Sequence, residues 1–497
     1  MRCFGILLPI YELPGKAGVG DFGDNARRFV DKLAAVGGKI WQILPLNPLG
    51  YGNSPYQPLS SMAGETLFIS LDLLYEEGLL KKRPAAFSPR ASVVDYPAVR
   101  AFKETYFKEA AGNFKKTEDF GRGYRRFIRQ DWVYPYAVFC ALRAQNDARS
   151  WMEWPKAERD WIIDRKYDIS HLQEQIEEEM ILQYLFMKQW KALKAYANAR
   201  GIRIMGDMPF YVGQDSLDVW GNRDKFLLDP DGYATAVAGV PPDYFSADGQ
   251  YWGNPIFNWE AIEKDGFRFY IDRIKACAKM YDILRIDHFR AFDTYWQIPA
   301  TSKTAAVGEW ICGPSYRFFD TLLPQTGKLK IVAEDLGDMR PEVYELRDHY
   351  DFPGMAVMEF LLASADREKL VKKNAVAYTG THDNDTVASW WELMTEEEKK
   401  RHEAVLAEEG YRVRKGNIAK IMCRVTMNTR ADTAILPVQD ILGLPHEARI
   451  NEPSTVKPEN WSWKMKDFRQ LDRALPALKE LVKESGRFRK ARRIEKA

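Results

Sequence analysis

The 497-residue chain contains no apolar run approaching the roughly 18 residues that a membrane-spanning helix needs. Its one early apolar stretch, MRCFGILLPIYEL, is broken by Pro9 and Glu12 and lacks a small-residue cleavage site, so no signal peptide is expected. Cysteine is scarce. Cys3, Cys140, Cys277, Cys312 and Cys423 are odd in number, widely spaced and without a CxxC pair, which disfavours a disulfide framework or a zinc ribbon and fits the cytoplasm. Net charge is scarce too: 72 basic against 70 acidic residues leave +2, so no global field draws the chain to nucleic acid or to an anionic membrane. The six histidines (His171, His288, His349, His382, His402 and His446) show no HExxH or other ligand spacing, and no G-x-x-x-x-G-K-[ST] or G-x-S-x-G motif occurs. No metal or organic cofactor is expected.

GVGDFG (18–23) matches the dinucleotide pattern G-x-G-x-x-G and precedes a helix, but its setting is wrong. In that fold the first glycine follows the strand almost at once, whereas ELPGKA intervenes here, and the next strand ends in Asn47 rather than in an acid that would hold ribose. The glycines turn the chain, and Asp24 or Asn25 is the expected helix cap.

Apolar (46%) and charged (29%) fractions are those of a globular protein. Aromatic residues, at 13% with 15 Trp, suit either an ordinary core or a sugar cleft, where flat rings stack on pyranose faces. Eight short apolar runs end in polar, Gly or Pro clusters: 5–10, 39–48, 202–207, 281–287, 329–335, 354–360, 374–383 and 432–440. Such runs read as strands buried on both faces, as in parallel sheets with helical crossovers. Between the first two, 25–38 places Phe29, Leu33 and Val36 on one helix face and ends in paired glycines. Eight units favour a (β/α)8 barrel over an open doubly wound sheet.

Two long gaps interrupt the rhythm. Residues 60–190 read as a mostly helical insertion packed on the C-terminal face of a barrel formed by 1–59 and 191–497. Its last helix carries Leu182, Leu185, Gln189, Leu193 and Ala197 on one face, with Phe186 and Trp190 beside them. Residues 208–270, rich in Gly, Pro, Asp and aromatics, read as a long active-site loop. Residues 464–497 hold 12 basic and 5 acidic residues and read as a solvated terminal helix.

Chemistry points to the carboxylates that end predicted strands, the face where barrel enzymes build their sites. Asp207, Asp287, Glu334 and Asp383 end the third, fourth, fifth and seventh runs. Four acids on one rim exceed the needs of a structural ion pair and would repel unless a substrate or a proton separates their roles. Two carboxylic acids flanking a sugar bond can hydrolyse or transfer it. Arg285, two residues before Asp287 on the same strand face, could hold that acid ionised or merely fill the barrel with it. Asp335 could stand in for Glu334, and Asp385 for Asp383.

In this order, GDMPFYV (206–212), LRIDHF (284–289), AEDLG (333–337) and TGTHDND (379–385) resemble the four signature regions of the α-amylase clan of retaining α-glycosidases. GYGNSPYQP (50–58), PPDYFSADGQYWGNPIFNW (241–259), LPVQDILGL (436–444) and RINEPSTVKPENWSWK (449–464) narrow the resemblance to the 4-α-glucanotransferases of glycoside hydrolase family 77, over nearly the whole chain. The resemblance implies transfer of an α-1,4-glucan segment to a 4-hydroxyl of glucose or another glucan. It implies Asp287 as nucleophile, Glu334 as general acid/base and Asp383 as the acid that grips sugar hydroxyls in the transition state. Arg285, His382, Asp207, Tyr56, Ser54, Asp243, Gln250, Trp252 and Asn451 would bind the glucan. Two departures bear on the loop around Asn451: Ser454 stands where a glycine is usual, and VKPE precedes Asn460 where a glycine is common.

Overall fold

The computed structural model describes residues 2–88, 91–242, 248–327, 329–365 and 367–488. Its strands, in chain order, are β1 (Cys3–Leu7), β2 (Ile40–Gln42), β3 (Arg203–Met208), β4 (Ala236–Val240), β5 (Gln250–Pro255), β6 (Ile283–Ile286), β7 (Thr294–Pro299), β8 (Glu309–Cys312), β9 (Lys330–Ala333), β10 (Gly354–Val357), β11 (Ala375–Tyr378) and β12 (Thr433–Pro437). Eight of them form one parallel sheet in the order β10-β11-β12-β1-β2-β3-β6-β9. The Ala333 N–H donates to Pro353 O (2.9 Å) just before β10, so the first and last strands of that order meet. This is a (β/α)8 barrel, and each of the eight apolar runs overlaps one of its strands.

Barrel strands such as β1, β6, β10 and β11 are buried at every position, as expected for strands covered by helices outside and by other strands' side chains within. Gly206 of β3 is required by close approach, since a Cβ there would lie 2.2 Å from the Tyr281 ring. The first crossover helix, Asp24–Ala35, buries Phe29 and Leu33, and Val36 follows, also buried. Gly37, at φ +87°, and Gly38 end it by donating to Ala34 O and Leu33 O. Its N-cap is Gly23, not Asp24 or Asn25. The Asp21 carboxylate accepts from Gly23 N–H (2.9 Å), and Asn25 Nδ2 reaches back to Pro14 O, because the helix begins one residue earlier and places Asp24 and Asn25 inside its first turn.

Helices Tyr96–Phe114, Val133–Gln145 and Gln173–Ala199 lie between β2 and β3. On the last of these, Leu182, Leu185, Phe186, Gln189, Trp190, Leu193 and Ala197 are all buried. Gln189 is satisfied there because its amide exchanges two hydrogen bonds with the Ser70 backbone, as Gln183 does with Gly64.

The described residues of segment 208–270 form more than a loop. They hold helices Leu217–Gly221 and Trp259–Lys264 together with β4 and β5, which join β7 and β8 in a four-stranded antiparallel sheet of order β5-β4-β7-β8. The terminal helix Arg469–Glu484 is docked rather than solvated, burying Leu471, Leu478, Leu481 and Val482 while its charges occupy the outer face.

Candidate active site

Asp207 and Arg285 are paired residues in the β3–β6 register, so both side chains project to the same side of the sheet. Arg285 Nη1 donates to both Asp207 oxygens (2.8 and 2.6 Å) and to Asp287 Oδ1 (2.9 Å). Asp207 and Arg285 are almost wholly buried, a costly arrangement that three charge-assisted bonds offset. The Tyr56 hydroxyl donates to Asp207 Oδ2 (2.8 Å), and its ring stacks on His382 with centroids 5.1 Å apart. Tyr56 thereby links the β3 side of the barrel mouth to the loop after β11.

That loop carries Asp383. Asn451 Nδ2 donates to Asp383 Oδ1 (2.7 Å), His382 Nε2 lies 3.3 Å from Oδ2, and Arg449 holds both Asp383 O and Asn451 O. Burial lowers the His382 pKa, opposed by the neighbouring Asp383, and so favours the neutral ring. Ser454 keeps the left-handed conformation (φ +61°) that a glycine would adopt without strain, and Asn451 still reaches Asp383.

Glu334 follows β9. Its Oε2 accepts from His288 N–H (2.6 Å) and its Oε1 from Leu336 N–H (3.0 Å), while Phe289 N–H donates to Glu334 O and Glu334 N–H to Ile286 O. Burial raises the Glu334 carboxyl, opposed by Arg285 and these backbone donors. Burial also pushes the Asp287 carboxyl well up, opposed by Arg285 and reinforced by Asp207, Glu334 and Asp383. With both carboxyls raised, the pair favours retaining one proton, the condition for one member to act as acid while the other stays charged. Direct contact with Arg285 favours Asp287 as the charged member.

The neighbouring acids are committed elsewhere. Asp335 is buried against Arg347 and accepts from Met355 N–H (2.7 Å). Asp385 accepts from Thr386 N–H, Ser389 Oγ and His446 Nδ1.

Trp252 and Gln250 lie on β5. Trp252 Nε1 donates to Gln250 Oε1 (3.1 Å), Gln57 Nε2 donates to Trp252 O (3.0 Å), and the indole stands perpendicular to the His288 ring at 4.8 Å. Ser54 Oγ accepts from Tyr56 N–H (3.1 Å) and so shapes the turn that presents Tyr56. Asp243, Tyr244 and Phe245 lie outside the described residues. His288, which sequence reasoning passed over, has φ +49°, a ring whose pKa burial pulls down to about 3, and an Nε2 without a hydrogen-bond partner among the described residues. Its signal was its place directly after Asp287 in LRIDHF.

A parallel barrel with acids gathered at its C-terminal rim around one arginine defines the class: a (β/α)8 enzyme of the glycoside-hydrolase kind. A family model described as 4-alpha-glucanotransferase, glycoside hydrolase family 77, matches residues 8–471, and the chain belongs to that family. It is 41% identical to the 4-alpha-glucanotransferase of Streptococcus pneumoniae serotype 4, over 96% of this chain and 95% of the relative. It is 40% identical to the 4-alpha-glucanotransferase of Thermus thermophilus, over 93% and 95%. Among solved structures, the amylomaltase of Streptococcus agalactiae in complex with acarbose superposes with a TM-score of 0.92 at 37% identity, covering 98% of this chain and 100% of that one.

Proposed function

We propose that this enzyme moves a segment of one α-1,4-glucan onto a 4-hydroxyl of another by retaining double displacement. Asp287 attacks the anomeric carbon as Glu334 protonates the departing oxygen, leaving a glycosyl ester on Asp287. Glu334, now a carboxylate, then takes the proton from the incoming 4-hydroxyl, which displaces Asp287 and restores the α configuration. Arg285 keeps Asp287 ionised, while Asp383, oriented by Asn451 and His382, grips sugar hydroxyls. Tyr56, Asp207, Ser54, Gln250 and Trp252 line or shape the glucan cleft, and Asp243 is assigned there by the family resemblance alone. Neither step calls for a metal or an organic cofactor.

The observation that carries this reading is the single guanidinium of Arg285 bonded to both Asp207 and Asp287, with Glu334 held beside them by the amide of the residue after Asp287. The five cysteines are free, which supports the cytoplasm as the compartment, and no described helix is long and apolar enough to cross a membrane. Incubation with maltotriose tests the reaction. Transfer yields a ladder of longer and shorter oligosaccharides at constant reducing ends; rising reducing ends would mean hydrolysis, and no change would leave only binding.

A further inference from the structure

The antiparallel sheet carries aromatic residues that the proposed mechanism does not use. Gly239 of β4 pairs with Tyr251 of β5 on one side and with Trp296 of β7 on the other, and Trp296 pairs with Trp310 of β8. Directly opposed residues of antiparallel strands share a face, so Tyr251, Trp296 and Trp310 form a row across all four strands, spaced at about 4.8 Å per strand. Trp252, the next residue along β5, points to the opposite face and packs on His288 in the cleft. The row therefore lies on the back of the element that walls the site.

Two members of the row are open to solvent, Tyr251 at 42% and Trp310 at 39% exposure, although a buried position is the commoner fate of such rings. Trp310 is held in place. The Arg290 guanidinium sits 3.9 Å from its ring centroid and covers one face, Trp296 meets it at 5.2 Å, and Trp296 is itself pinned by a bond from Nε1 to Ala305 O (2.8 Å). With Arg290 over one face and Trp296 against it, Trp310 is held rigid while 39% of it stays open. Arg290 also donates to Asp338 O, in the loop that begins with Glu334, so the platform is tied to the catalytic rim.

We propose that this row is an accessory binding surface for α-1,4-glucan, used by chains long enough to extend past the cleft. The occupant follows from continuity: Tyr251 adjoins Trp252, Trp310 is braced from the Glu334 loop, and a glucose polymer presents repeated apolar ring faces that stack on aromatic side chains without needing charge. A rigid indole backed by a cation loses little freedom on binding, which favours it over a flexible contact.

The inference rests on the glucan reading above, and the test separates the two. Trp310→Ala and the rescue variant Trp310→Tyr are compared with wild type for KM and kcat on maltotriose and on long amylose, with migration through starch-containing gels as a direct binding readout and thermal midpoints as a check on folding. Trp310→Ala should raise KM for amylose about fivefold, the equivalent of one lost stacking contact, with maltotriose kinetics unchanged. Its retardation by starch should fall in parallel, and Trp310→Tyr should restore most of both. Equal effects on the two substrates, no effect on amylose, or a tyrosine variant as impaired as the alanine would overturn the platform. A wild-type enzyme inactive on both substrates would instead overturn the functional reading.

Discussion

At the scale of the residue, Asp287 and Glu334 differ in what holds them, the first by a guanidinium and the second by backbone amides. Asp287→Asn should reduce transfer on maltotriose to below about a hundredth of wild type with an unchanged thermal midpoint, because an amide cannot form the glycosyl ester. Glu334→Gln should be nearly as severe. Asp335→Asn should spare the chemistry and show its cost in stability, since Asp335 faces Arg347; the reverse ranking in single-turnover rates would move the acid/base one residue along.

A second buried acid makes a pH prediction. Glu359 follows β10, lies near Asn384, Asp440, Asp385 and Arg449, and has an Oε1 with no hydrogen-bond partner among the described residues. Burial raises its carboxyl well above the usual range, and burial also raises Asp440, to about 6. A folded-state value above the unfolded one means that the stabilising contribution is complete below about pH 4 and is lost as pH rises toward the folded value, at up to about 1.4 kcal/mol per pH unit. Glu359→Gln should flatten that slope in urea unfolding at about pH 4, 7 and 9, matching wild type at about pH 4 and exceeding it at about pH 9. Parallel pH profiles for the two proteins would refute the assignment.

At the scale of the element, β5 serves two faces. Trp252 presents its indole to His288 near Glu334, while Gln57 holds the backbone at Trp252 O. An aromatic wall beside the glycosyl ester stacks an acceptor sugar and displaces water, so Trp252→Ala should weaken transfer more than hydrolysis. The measurement is the ratio of glucosyl transfer to gain in reducing ends on maltotriose, taken on a variant of unaltered thermal midpoint. An unchanged ratio would remove Trp252 from the control of water. This strand was illegible in the sequence because the β4 that pairs with it is held in turn by β7, which lies beyond a crossover helix and β6. Local alternation cannot report a pairing of that separation.

For the molecule as a whole, the barrel is fastened through Arg487, which follows the helix Arg469–Glu484. Arg487, fully buried, donates to the carbonyls of Cys3, Met427, Thr429, Ala431 and Asp432, joining the docked terminal helix to β1 and to the entry of β12. Burial draws its pKa down to about 10, which still leaves it charged at neutral pH. Arg487→Ala would strand those carbonyls and should cost about 3 kcal/mol or more in urea unfolding, with activity retained while the protein stays folded. A loss under about 1 kcal/mol would show that another part of the chain fastens the barrel.

Eight buried apolar runs, their breakers and the order of the acids were legible from sequence alone, because strand burial and helix amphipathicity are written in local periodicity; eight such units favoured a barrel, and the meeting of β9 with β10 closes it. The helix ending at Ala199 was legible for the same reason, down to Gln189 among its buried residues. Spacing left Asp335 open beside Glu334 and Asp385 beside Asp383, and only the resemblance to a known family chose between them. Adjacent side chains in a loop diverge, and only the packed backbone decides that Asp335 turns back to Arg347 and Asp385 to Ser389 and His446. The amide of His288 on Glu334 and the docking of the last helix were likewise decided only when distant segments met, since each depends on a partner set by the path of the backbone rather than by its neighbours in sequence.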